Sequence, residues 1–69
     1  MKHIKEQIKI FLAESGISQR QLAIQSGVNV TYINRLIRGK QSDVYSSSAD
    51  ALRVAMQILN PEAAQKAMD

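Results

Sequence analysis

The chain has 69 residues, 45% of them hydrophobic, with only Phe11, Tyr32 and Tyr45 for aromatic bulk; this suits one small helical domain over residues 1–69 and excludes a second. It has no cysteine, which rules out a disulfide framework and a thiolate metal site. The net charge is +3, a modest excess of base that points toward an anionic partner.

In chain order, Ile4, Ile8, Phe11 and Leu12 recur at helical spacing with Lys2, Lys5, Glu6 and Lys9 on the other faces, which predicts a first helix over about residues 2–14. Ser15-Gly16 stops it. Ile17 faces inward, and Ser18 is a good N-cap for a second helix, about Gln19 to Gln25. Ser26-Gly27-Val28-Asn29 reads as a turn, and Asn29 caps a third helix, about Val30 to Arg38, which Gly39 ends. Residues 39–47 carry no apolar period and form the one long loop. Ser47 or Ser48 caps a fourth helix, about Ala49 to Leu59, with Leu52, Ala55, Met56 and Leu59 inward. Asn60-Pro61 opens a short fifth helix. Its apolar residues are Ala63, Ala64, Ala67 and Met68, and Glu62 and Lys66 are spaced to pair.

The charge is graded along the chain. Residues 1–42 hold seven basic and two acidic side chains, residues 43–69 two basic and four acidic ones. From Ser15 to Ser42 there is no acid at all, only Arg20, Arg35, Arg38 and Lys40. Such a segment suits a polyanion, either nucleic acid or an anionic membrane surface; the plainer alternative is a solvated basic face.

Two short helices joined by a glycine-bearing turn, the second basic and polar outside, have the layout of a helix-turn-helix. That geometry needs a small residue at the close crossing, a residue free to take positive φ in the turn, and inward apolar residues three apart on the second helix. Ala23, Gly27, Ile33 and Leu36 meet these needs, with Leu22 and Val28 completing the core. The run Ile17-Ser18-Gln19-Arg20-Gln21-Leu22-Ala23, then Ser26-Gly27-Val28, then Ile33-Asn34-Arg35-Leu36-Ile37-Arg38-Gly39-Lys40 closely resembles the Cro and phage-repressor (XRE-type) helix-turn-helix family. The likeness covers about residues 4–59 and is densest over 17–40. It implies an all-α, five-helix, lambda-repressor-like domain that binds double-stranded DNA.

At 100° per residue, Ile33, Leu36 and Ile37 fall on one side of the third helix and Thr31, Asn34, Arg35 and Arg38 on the other. The resemblance implies that bases are read from the first two turns, which transfers to Asn29, Val30, Thr31 and Arg35, with Asn34 beside them. Arg35 suits a guanine O6/N7 edge, and Val30 or the Thr31 methyl a thymine methyl; Val30 lies nearer the buried side than Thr31 does. Gln19 stands at a helix N-terminus, which favours phosphate, and the family uses a glutamine there for a backbone contact. Arg20, Tyr32, Arg38, Lys40, Gln41 and Ser42 are further phosphate-side residues, which orient without reading sequence.

Two departures from the family belong together. Many relatives pair an arginine in the first helix with a glutamate late in the third, and the matching positions here are Leu12 and Ile37. An apolar pair replaces a buried ion pair with little loss of stability, but one phosphate-contacting arginine goes with it. Ser26 stands where the family often has an aliphatic residue, and the Ser-rich loop with Asp43, Val44 and Tyr45 gives little support to a minor-groove arm.

The rest of the chain offers no catalytic chemistry. His3 has no ligand partners at metal spacing, the serines lack a general base, and the carboxylates are scattered singly. The expectation is therefore a non-enzymatic regulator without cofactor, metal or small-molecule ligand. No apolar run spans a bilayer and no signal sequence follows Met1, so a cytoplasmic, unprocessed protein is expected. Repression by occluding a promoter is the simplest mechanism, as a homodimer at least on DNA; Ala63, Ala67 and Met68 of the fifth helix are either core or a dimer contact. One alternative is an antitoxin-type protein that also binds a toxin through Val44, Tyr45 and the fifth helix. Others are an N-terminal fragment of a larger repressor, since the fifth helix ends abruptly at Met68-Asp69, and a non-specific anionic-surface binder using Lys2, Lys5, Lys9 and Arg20.

Overall fold

The computed structural model describes residues 3–41 and 44–69. Within them the chain forms α1 (Ile4–Ser15), α2 (Gln19–Ser26), α3 (Val30–Arg38), α4 (Ser46–Leu59) and α5 (Pro61–Met68), and no strand occurs among the described residues. The all-α, five-helix lambda-repressor-like architecture is the one expected.

Local chemistry explains most of the boundaries. Ser18 Oγ accepts from the Gln21 N–H at 3.1 Å while Gln21 Oε1 accepts from the Ser18 N–H at 3.2 Å, so a reciprocal capping box starts α2. Asn60 Oδ1 accepts from the Ala63 N–H at 3.1 Å, and Pro61 takes the first position of α5, where no N–H is needed. The start of α4 departs from expectation: neither Ser47 nor Ser48 caps it. The helix begins three residues before Ala49, at Ser46, and Tyr45 is the N-cap with no side-chain cap bond. A tertiary contact sets this point. The Tyr45 N–H donates to the Tyr32 hydroxyl at 3.2 Å and the two rings stack with centroids 6.3 Å apart. The Tyr45 carbonyl, held there, accepts from the Ala49 N–H at 3.0 Å and opens the helix.

The core draws on all five helices: Ile4, Ile8 and Phe11 from α1, Leu22 from α2, Ile33 and Leu36 from α3, Leu52, Ala55 and Met56 from α4, and Ala63, Ala64 and Ala67 from α5. Phe11 is its one aromatic residue. The apolar stripe of α1, Ile4, Ile8 and Phe11, is therefore buried inside. The α5 alanines let that helix lie close against α1 and α4. They are buried in the protomer's own core, with half-buried Met68 packed on its margin, so of the two readings of α5 its alanines take that of core. Lys66 Nζ lies 3.5 Å from Glu14 Oε2 of α1; it ties α5 to α1 instead of pairing with Glu62.

Gln7 is fully buried, one turn from Ile4 and Phe11. Its Oε1 accepts from Arg53 Nε of α4 at 2.9 Å, whereas its buried Nε2 has no partner. An unmet buried donor costs about 1–3 kcal/mol, and half-exposed Arg53 can be hydrated in its place. Gln7→Leu is therefore expected to hold or raise stability by up to about 1 kcal/mol in urea titration; a loss of about 2 kcal/mol or more would contradict this account.

Candidate nucleic-acid interface

The α2–turn–α3 unit is built from short-range bonds around one glycine. Gly27 has φ +76° and donates its N–H to the Ala23 carbonyl at 2.9 Å, turning the chain out of α2. Ser26, the apparent departure from the family, has a purpose here: its Oγ donates to the Ala23 carbonyl at 3.3 Å and accepts from the Val28 N–H at 3.1 Å. Asn29 Oδ1 then accepts from the Thr31 N–H at 2.7 Å and starts α3. A Cβ at Gly27 would meet nothing within 4 Å, so only backbone strain opposes alanine there. Gly27→Ala is expected to cost about 1–2 kcal/mol in chemical denaturation; no change would mean that the turn does not hold positive φ.

Beneath the turn, Leu22, Ile33 and Leu36 are buried, with Ala23 and Val28 packed against them. Anchoring Ile33 and Leu36 fixes how α3 is presented: Thr31, Arg35 and Arg38 are exposed on its outer side, with Asn29 and Val30 exposed at its start. Val30 is 42% exposed, enough to touch a ligand despite its place near the buried side. Arg20 and Lys40 are exposed as well, Gln19, Tyr32, Asn34 and Gln41 are half-buried, and Ser42 lies outside the described residues. Lys5 Nζ lies against Gly39, adding a cation at the C-terminal end of α3 that charge spacing alone had placed on another face.

Among the described residues the ion pairs are Arg53–Asp50 and Lys66–Glu14. None involves Arg20, Arg35, Arg38 or Lys40, so these four cations on and beside α2 and α3 have no ion-pair partner among the described residues. Two expected site residues are tied to each other: Asn34 Nδ2 donates to Gln19 Oε1 at 3.3 Å. The bond joins the recognition side of α3 to the first residue of α2.

The helix-turn-helix family model matches residues 8–43, just over half of the chain. The protein belongs to the Cro and phage-repressor (XRE-type) helix-turn-helix family. It is accordingly a DNA-binding helix-turn-helix regulator. No curated protein and no solved structure matches the chain. No helix among the described residues is long and apolar enough to cross a membrane.

Leu12 and Ile37 are both half-buried and packed on the core. Sequence patterning did not single out Ile24, which is 73% exposed and lines an open hollow beside the turn with Ala23, Val28 and Val30. It did not single out Val54 and Ile58 either, both exposed on α4. A helical wheel centred on Leu52 would have set those two opposite the core. Val44 and Tyr45 are exposed as expected, but α5 adds no free apolar surface to them.

Proposed function

We propose that this protein is a sequence-specific transcriptional repressor that places α3 in the major groove and occludes a promoter, two copies standing on half-sites about 34 Å apart. The observation that carries this reading is the outer side of α3, where Thr31, Arg35 and Arg38 project from a helix anchored by Ile33 and Leu36, with no acid paired to either arginine among the described residues. Asn29, Val30, Thr31 and Arg35 read bases. Asn34 joins them through its carbonyl oxygen, since its Nδ2 holds Gln19. Gln19, Arg20, Tyr32, Arg38, Lys40, Gln41 and Ser42 serve the phosphates.

The protein acts by binding alone, in the cytoplasm and on the nucleoid, without a cofactor. Lys40 tests the split between orientation and reading. Lys40→Ala is expected to weaken binding to preferred and unrelated duplexes by the same factor and to reduce the salt slope by about one. Fluorescence anisotropy titrations at several salt concentrations measure both, and a loss confined to the preferred duplex would refute the phosphate role. The exposure of Val44 and Tyr45, 36% and 59%, favours a second reading in which a protein partner, as in antitoxins, is held beside the DNA-binding unit. Co-purification of a second chain that is lost in Tyr45→Ser would support it.

A further inference from the structure

Lys5 is poorly suited to the helix that carries it. It is the second residue of α1, where the unpaired N–H groups of a helix start favour an acid and oppose a cation. It is also half-buried, whereas Lys9, Lys40 and Lys66 are exposed. Its place is fixed locally: His3 caps α1, its Nδ1 accepting from the Lys5 backbone N–H at 3.2 Å, and Ile4 beside it is buried. From there the side chain crosses to α3. A Cβ at Gly39, the residue that closes α3, would stand 3.1 Å from Lys5 Nζ and 3.9 Å from its Cε. Gly39 lies between Arg38 and Lys40 in the chain, so α1 brings a third cation to the end of the recognition helix.

The protein itself leaves that ammonium unused. The end of α3 is closed by backbone bonds, Gly39 N–H to the Leu36 carbonyl at 3.1 Å and Lys40 N–H to the Arg35 carbonyl at 2.9 Å. Among the described residues Lys5 Nζ has neither an ion pair nor a hydrogen bond. The partial negative charge at the end of α3 draws a cation but fills none of the ammonium's donors. Like charges gathered at one place repel until an anion joins them. With no acid in the sequence from Ser15 to Ser42, the anion that suits this end of α3 comes from outside the chain.

We propose that Lys5 is a DNA phosphate contact contributed by α1, its Nζ donating to a phosphate oxygen beside those met by Arg38 and Lys40. Such a contact orients α3 from a second helix and reads no base. The inference rests on the phosphate role given to Arg38 and Lys40 above.

Anisotropy titrations of Lys5→Gln and Lys5→Arg, with Lys40→Ala and Lys66→Ala beside them, on preferred and unrelated duplexes from about 50 to 200 mM salt test it. Lys5→Gln is expected to weaken binding to both duplexes by the same factor and to lower the salt slope by about one per bound copy. Over that range its affinity then falls about threefold to fourfold less than the parent's. Lys5→Arg, which keeps the charge, is expected to keep the parent slope. So is Lys66→Ala, which removes an equal charge from α5, where it pairs with Glu14. An unchanged slope in Lys5→Gln would overturn the contact; if urea melts then show lost stability, the lysine only closes α3. An equal fall in Lys66→Ala would overturn it too, since net charge would be the cause. Lys40→Ala separates the failures. A lowered slope there beside an unchanged one in Lys5→Gln removes Lys5 alone, whereas unchanged slopes in both also remove the phosphate role of this end of α3.

Discussion

Replacing Phe11 with alanine is expected to remove about 3–5 kcal/mol, a large share of the protein's stability at 25 °C. A 69-residue chain has a stability of about 3.5–10 kcal/mol at 0.05–0.15 kcal/mol per residue, and truncating a fully buried phenylalanine removes about 3–5 kcal/mol. Phe11 has no exposed surface and is the core's one aromatic residue, among alanines and aliphatic side chains too small to close the space it would leave. The consequence reaches function through α1, which packs on both α3 and α5: if it loosens, the anchor of the recognition helix loosens with it. Urea melts followed by circular dichroism measure the effect. A loss below about 1 kcal/mol would show that Phe11 does not hold the core.

Arg35→Ala carries the largest expected effect on sequence choice. A bidentate arginine–guanine pair discriminates by about 1–3 kcal/mol, or about 5- to 150-fold in affinity. The substitution is therefore expected to cost that factor on the preferred duplex and only the share of one charge on unrelated DNA. Arg35→Lys separates charge from geometry, because lysine keeps the charge but lacks the planar fork. It is expected to bind unrelated DNA as the parent does and to lose most of the preference. Equal losses on preferred and unrelated duplexes for Arg35→Ala would remove the base-reading role from this residue. The side chain is exposed on α3, so the fold is not at stake in either variant.

What was legible in the sequence was what short-range chemistry decides. The helix-turn-helix could be read because Ser18, Gly27, Asn29 and Gly39 each mark a boundary through a bond or a positive φ within a few residues. The start of α4 could not, because it depends on Tyr32 meeting Tyr45 across 13 positions of sequence. The Asn34–Gln19 bond, spanning 15 positions, left no local mark either. Gln7 had the right spacing from Ile4, Ile8 and Phe11 to be buried, but its amide reads as solvent-facing until Arg53 is brought to it. Alanine is small enough for a core or an edge, so the burial of Ala63, Ala64 and Ala67 was settled only by the approach of α1 and α4.

The acid-free stretch from Ser15 to Ser42 takes in the whole of α2 and α3, and the outer face of α4 is neutral. The basic excess is thus concentrated on the helix-turn-helix. Selection of bound duplexes from a random pool at two salt concentrations tests the central claim most directly. One enriched site is expected at both, built of two half-sites about 34 Å apart, with affinity falling at higher salt and the preferred sequence unchanged. Recovery of duplexes with no enriched sequence would contradict the claim.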